Sequence, residues 1–289
     1  MKTYRIVQYI QPWEIDDLER QIYKLIESSY MIEDGNKIIF DVTLNISDKL
    51  VDWNESKLPQ QFFIDKFKYL ETILAYNFTT NFDTDKNIQG LIDKNRTIPD
   101  KTQDYIIWLD PDIFFTHLHL AYLVQISQTI TDEYFILSPQ CVKYWDNSWD
   151  CITNPKYLKF PDSIRATFDV MSLESEFNHE PVTIYKNPNM KVTGWGSLFT
   201  TALLRKIRIP IEMGSYGPLD TYVAMCAPKL GATQYVMNNV VVADLAERFW
   251  KNKDYIKPLL SLKTIYKEGS WKCIEPRFHK AVQDFYNSN

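Results

Sequence analysis

The run Tyr4 to Ile10 is β-branched and aromatic and stops before Pro12, after which Ile15, Leu18, Ile22, Leu25 and Ile26 recur at the spacing of one helix face. A strand followed by an amphipathic helix is expected. Asp34-Gly35-Asn36 has turn chemistry, and Lys37 to Asp41 reads as a buried strand ending in a carboxylate, ahead of a polar stretch with Asp48 and Asp52. Phe62 to Leu74 has helical spacing, Tyr76 to Thr80 reads as a short strand, and Asp104 to Leu109 is an aromatic and β-branched strand halted at Asp110. Past Pro111, Phe115 to Ile130 predicts a helix and Glu133 to Leu137 a strand.

Between Lys143 and Asn189 the periodicity fades, and this stretch, with Trp145, Trp149 and His179, reads as a long surface excursion. Next come a strand from Met190 to Thr193, a Gly-Trp-Gly turn, a helix from Leu198 to Ile207, and a loop around Gly214 and Gly217. A helix from Leu219 and a strand from Tyr235 to Val242 follow. Strands that alternate with helices predict an α/β fold with a mainly parallel sheet flanked by helices. Such sheets bind ligands beyond the C-terminal strand ends, and Asp41, Asp83, Asp110 and Asp112 are expected at or just after those ends.

With 289 residues and 45% hydrophobic content the chain can bury one sizeable core, or a core with a small subdomain. The 18 Tyr, 16 Phe and 8 Trp suit dense packing or flat stacking surfaces for sugars and bases. A net charge of −5 leaves no global basic field for nucleic acid or anionic lipid. Cys141, Cys151, Cys226 and Cys273 show no Cys-x-x-Cys spacing, so reduced thiols are expected. The N-terminus runs straight into a strand-like segment, and no run of apolar residues is long enough to span a bilayer. A cytoplasmic protein is the expectation.

The chemistry concentrates at Asp110-Pro111-Asp112, two carboxylates on a tight turn at the end of a buried strand. Hard oxygen ligands so placed suit Mn²⁺ or Mg²⁺ bridging phosphates, whereas a solvated turn is the plainer alternative. His117 and His119, two apart on a helix, point to different faces and read as ordinary helix residues. Asp83-Thr84-Asp85 reads as a turn, and Trp145, Trp149 and Trp195 as packing residues that could also stack on a sugar.

The Asp-x-Asp context resembles that of the GT-A glycosyltransferases, in particular their broad family-two-like group. Lys37-Ile-Ile-Phe-Asp41 followed by Val42-Thr43 is similar to the second strand of that group, whose carboxylate contacts the nucleotide. Asn87-Ile-Gln-Gly90, then Lys94-Asn95-Arg96, then Asp104 to Asp112, is similar to its order of motifs. Gly194-Trp-Gly-Ser-Leu-Phe199 and Tyr216-Gly-Pro-Leu-Asp-Thr221 resemble the Gly-rich turn and the Gly-x-Glu-Asp element of galactosyltransferase-like C-terminal halves, with Leu219 where Glu is usual. The resemblance covers roughly residues 4 to 115 and 190 to 245.

The resemblance implies one GT-A (Rossmann-like) domain over 1–289, with a nucleotide-sugar-binding half at 1–115 and an acceptor-binding half at 116–289 that contains the excursion 143–189. It implies a metal-dependent, inverting hexosyltransferase that uses Mn²⁺ or Mg²⁺ and a nucleotide-sugar donor, UDP-sugar favoured, with a glycan or polysaccharide acceptor. It further implies Gln8, Asp41, Thr43, Asn87, Arg96 and Asp110 at the donor, Asp110, Asp112 and Asp244 at the metal, and Asp220 as catalytic base. His279 is the other candidate for the third ligand, and a helix N-cap is the other reading of Asp220. Transfer to a hydroxymethyl-pyrimidine of DNA, nucleotidyl transfer and non-catalytic sugar-nucleotide binding are the alternative functions. A haloacid-dehalogenase-type phosphatase fits poorly, because Ile113-Phe114-Phe115 follows the Asp pair.

Overall fold

Thr3–Ile10 forms β1, a 3-10 turn at Pro12–Glu14 redirects the chain, and Ile15–Ser29 forms α1. The Gln11 N–H donates to Glu14 Oε2 at 2.6 Å, satisfying an amide that the helix start would otherwise strand. The stripe Ile15, Leu18, Ile22 and Leu25 is buried against the sheet, each side chain contributing about 1.5–3 kcal/mol as an upper estimate. Lys37–Asn45 is β2, Gln60–Leu74 is α2, Thr79–Asp85 is β3, Tyr105–Leu109 is β4 and Ile113–Phe114 is β5. Then follow α3 (Leu118–Ser127), β6 (Phe135–Lys143), β7 (Thr183–Lys186), β8 (Trp195–Thr200), α4 (Thr201–Ile207), α5 (Leu219–Cys226), β9 (Thr233–Asp244) and α6 (Trp271–Ser288).

This computed structural model describes residues 1–33, 35–46, 58–86, 99, 102–111, 113–143, 181–190, 192–210, 219–244 and 271–289. Asn87, Arg96 and Asp112 lie outside them, as do Trp145, Trp149, His179, Gly214 and Gly217. The described strands form one mixed sheet in the order β3-β2-β1-β4-β8-β6-β9-β5, with β7 added on β9. The pairs β3·β2, β2·β1, β1·β4 and β6·β9 are parallel, and β4·β8, β8·β6, β9·β5 and β9·β7 are antiparallel.

Helices cover both faces, as the expected α/β fold requires. Tyr4, Ile6, Ile10, Phe40, Val42, Ile107 and Leu109 pack in one cluster with α1, α2 and α3. Val7, Ile106, Trp108 and Phe199 pack in the other with α4, α5 and α6. All five residues of β4 are buried because both of its faces are covered, which explains why the strand shows no polar alternation. No helix among the described residues is long and apolar enough to cross a membrane.

Three sequence expectations need correction. The second strand continues four residues past Asp41 to Asn45, so Asp41 is interior rather than terminal. The third strand starts at Thr79 and runs through Asp83-Thr84-Asp85, so the second Asp-x-Asp is strand and not turn. Its polar residues escaped recognition because hydrogen bonds to the neighbouring β2, not burial, hold it extended. The Gly-Trp-Gly segment opens β8 instead of separating a strand from a helix. Buried along its whole length, that strand lacks the period-two signal that would distinguish it from helix. The C-terminal helix α6, which seats Phe278, Val282 and Phe285 on α5, was not anticipated.

Candidate active site

The strand order places a crevice before any side chain is considered. From β1 the chain steps outward to β2 and β3 on one side, then returns to pair β4 on the other. Strand order reverses between β1 and β4, and at such a switch point the flanking loops separate and leave room for a ligand at the C-terminal strand ends. Asp110 is the first residue beyond β4, and so stands at that crevice.

The geometry around Asp110 is tight. Its N–H donates to the Gly194 carbonyl at 2.8 Å, and a Cβ on Gly194 would come within 2.5 Å of the Asp110 Cγ. A side chain at position 194 would force the Asp110 carboxylate to move. Gly196, two residues on, has φ +73, and a Cβ there would overlap the ring of His119. The Gly-Trp-Gly segment is therefore shaped by two close approaches, to Asp110 and to His119. Trp195 between the glycines is buried in the core and packs, as its plainer reading expected.

His119 is buried, and its Nε2 lies 3.0 Å from the Gly196 carbonyl. A carbonyl only accepts, so Nε2 carries the hydrogen and donates. Burial pushes the imidazole pKa down to about 4, partly offset by the Gly196 carbonyl. Between the ordinary value near 6.5 and about 4 the unfolded chain binds a proton that the folded chain refuses, so the stability His119 contributes is complete above that window and lost as pH falls through it. Urea unfolding at pH 7 and pH 5 should therefore show a loss of about 2 kcal/mol that is absent in His119→Gln. An equal slope in both proteins would refute the assignment.

Asp244 ends β9, whose backbone pairs antiparallel with β5 so that Ile113 faces Asp244 and Phe114 faces Ala243. This register brings the Asp244 backbone beside the residue that follows Asp112. The end of β9 is thus paired with the short strand that begins three residues past Asp110. Among the described residues no three His, Cys, Asp or Glu side chains converge as a ready cage, but Asp112 falls outside that set.

Asp220 is the second residue of α5, half-buried, and its Oδ1 accepts the Thr221 N–H at 2.7 Å. Leu219, just before it, belongs to the same buried cluster as Val7 and Trp108, the strand residues that lead up to the crevice from β1 and β4. Asp220 is thereby tied to the α4–α6 face of the sheet.

Besides Asp110, three of the expected donor residues are described, on β1 and β2. Asp41 is buried mid-strand, 2.8 Å from an Arg5 guanidinium nitrogen and 3.0 Å from Asn81 Nδ2, so its carboxylate is engaged within the sheet. Thr43 stands further toward the end of β2, between Tyr9 and Asp83. Gln8 is buried and donates to Gln21 Oε1 at 2.7 Å, facing α1. Sequence reasoning passed over Gln21 and gave His119 no role at the site. A glutamine beside the apolar stripe of α1, and a glycine pair next to a buried-helix histidine, were the available signals.

The open cavity of about 440 Å³ lined by Ser29, Glu33, Asn36, Tyr76 and Asn77 lies at the opposite end of β2 and β3, beside the C-termini of α1 and α2. It takes no part in this site.

No protein-family model and no curated protein sequence matches the chain. Solved structures do. The structure of GalNAc-T7 with UDP, GalNAc and Mn²⁺ superposes with TM-score 0.50 at 14% identity, over 84% of this chain and 44% of that one. TarS of S. aureus gives TM-score 0.45 at 14% identity, over 99% of this chain and 43% of that one. Its 1–349 fragment in complex with UDP-GlcNAc gives 0.45 at 14%, over 99% of this chain and 72% of that one. The chain thus spans under half the length of GalNAc-T7 and of the longer TarS chain. Together with the β3-β2-β1-β4 order and its switch-point crevice, the GalNAc-T7 superposition shows that this chain has a GT-A-like glycosyltransferase fold.

Proposed function

We propose that the chain is a metal-dependent glycosyltransferase that moves a hexosyl unit from a nucleotide-sugar, UDP-sugar favoured, to a carbohydrate hydroxyl with inversion. The observation that supports this reading is the β5·β9 register, which pairs the backbone of Asp244 with Ile113, three residues past Asp110 at the end of β4. Asp110, Asp112 and Asp244 together would make an all-oxygen donor set, the kind that suits Mn²⁺ or Mg²⁺. We assign them as its ligands. A bound divalent cation would offset charge on the departing diphosphate.

The chain's own groups do the rest. Asp220 takes the proton of the acceptor hydroxyl, a role open to a carboxylate on the first turn of α5. Thr43, near the end of β2, faces the nucleoside, with Asn87 and Arg96 completing the donor contacts. Asp41 contributes from within the sheet by holding Arg5. Gln8 acts through Gln21. The GalNAc-T7 structure of like fold contains UDP and Mn²⁺, which supports this choice of donor by analogy of fold.

Calorimetry with UDP in the presence and absence of Mn²⁺, followed by turnover of UDP-, GDP- and dTDP-sugars, tests the proposal. Metal-dependent UDP binding and transfer to oligosaccharides is the expected result. Transfer only to hydroxymethylated DNA would replace the acceptor class. Absence of nucleotide binding under every metal condition would overturn the enzyme reading.

A further inference from the structure

Gln21 lies on α1 among Leu18, Ile22 and Leu25 and is 2% exposed, where an unpaired amide would be costly. Its Nε2 instead meets three carbonyls of a single turn: Asp110 at 3.0 Å, Pro111 at 3.1 Å and Ile113 at 2.9 Å. An amide nitrogen has two hydrogens, so at least one is shared between carbonyls. The orientation is not arbitrary. Three carbonyl acceptors can be served only by the NH₂ end, and the Oε1 end then accepts from Gln8 Nε2 at 2.7 Å. Gln8 is itself buried on β1, so the pair spans from the sheet through α1 to the turn that carries the two aspartates.

We propose that Gln21, oriented by Gln8, is the positioning residue of the metal-bearing turn. It grips the backbone on both sides of Asp112 and sets the carboxylates in place before ion and diphosphate arrive. This inference rests on the assignment of Asp110 and Asp112 as metal ligands. The physical reason is preorganisation: a turn left free must be ordered at binding, and that ordering subtracts from the affinity for the metal-bound diphosphate. A purely space-filling glutamine would not need three acceptors from one turn and a second glutamine to fix its amide.

The test compares the intact chain with Gln21→Met and Gln8→Met, each of which removes a donor and nearly conserves length. Hydrogen exchange of residues 110–115, measured without ligand, reads the clamp itself. Gln21→Met should speed exchange there by about tenfold or more while the rest of β1 and α1 keep their protection. Calorimetry with Mn²⁺ and UDP should show affinity lowered about tenfold, the scale of lost outer-shell support, with metal-free UDP binding unchanged. Gln8→Met should move both readouts the same way by less, and carries the comparison if Gln21→Met does not fold. Unchanged exchange at 110–115, or faster exchange with unchanged Mn²⁺-dependent affinity, would overturn the proposal. A wild-type chain that binds no Mn²⁺ with UDP would instead overturn the metal assignment, and the exchange comparison would still decide whether the clamp holds the turn.

Discussion

Asp112→Asn is expected to abolish metal-dependent donor binding and to lower turnover by at least about 10²-fold, the scale on which one preorganised electrostatic contact to developing charge is worth. The substitution keeps shape and removes charge. The packing beneath the turn belongs to β4, whose five residues are all buried, and to Gln21 and Gly194, which bind backbone atoms. Thermal unfolding should therefore stay close to wild type, because the packing at this turn is carried by other residues. Asp110→Asn should act in the same direction on binding, since it too removes the charge of a proposed ligand. Calorimetry with UDP and Mn²⁺ decides: unchanged affinity and unchanged metal dependence in Asp112→Asn would remove the basis of the proposed mechanism.

Asp220→Asn should lower kcat by about 10²-fold or more, the usual scale for loss of a general base, with donor affinity little changed. The Thr221 N–H now bonded to Oδ1 at 2.7 Å can bond the amide oxygen of Asn, so the first turn of α5 keeps that contact. Loss of one negative charge at the helix N-terminus costs about 0.3–1 kcal/mol, too little to unfold the chain. A residue that only caps or supports the helix would leave turnover nearly normal in this variant. Near-normal turnover, or a product that keeps the donor's anomeric configuration, would sink the assignment of Asp220 as base of an inverting reaction.

Much of the fold was legible because local rules and tertiary structure agree. The stripe of α1, the β-branched run of β1 and the apolar run of β4 each have one periodicity and one outcome, and Asp110 follows β4 in any arrangement of the strands. The α/β class and the position of the Asp pair beyond a buried strand followed from those patterns alone. Where local signals were weak, expectation and structure parted. β3 is polar and held by β2, β8 is buried without alternation, and Asp41 lies inside a strand whose later residues, Val42 to Asn45, do not mark their own end.

By itself the sequence determined which residues carry charge, which face of each helix is apolar, and that two carboxylates follow a buried strand. Only the tertiary structure decided who meets whom. The pairing of Ile113 with Asp244 joins segments more than a hundred residues apart in the chain, and no local propensity encodes that register. Likewise the fit of Gly194 against Asp110, of Gly196 against His119, and of Gln21 on three carbonyls arises from close packing between distant elements, where a single Cβ or amide hydrogen settles what can be accommodated.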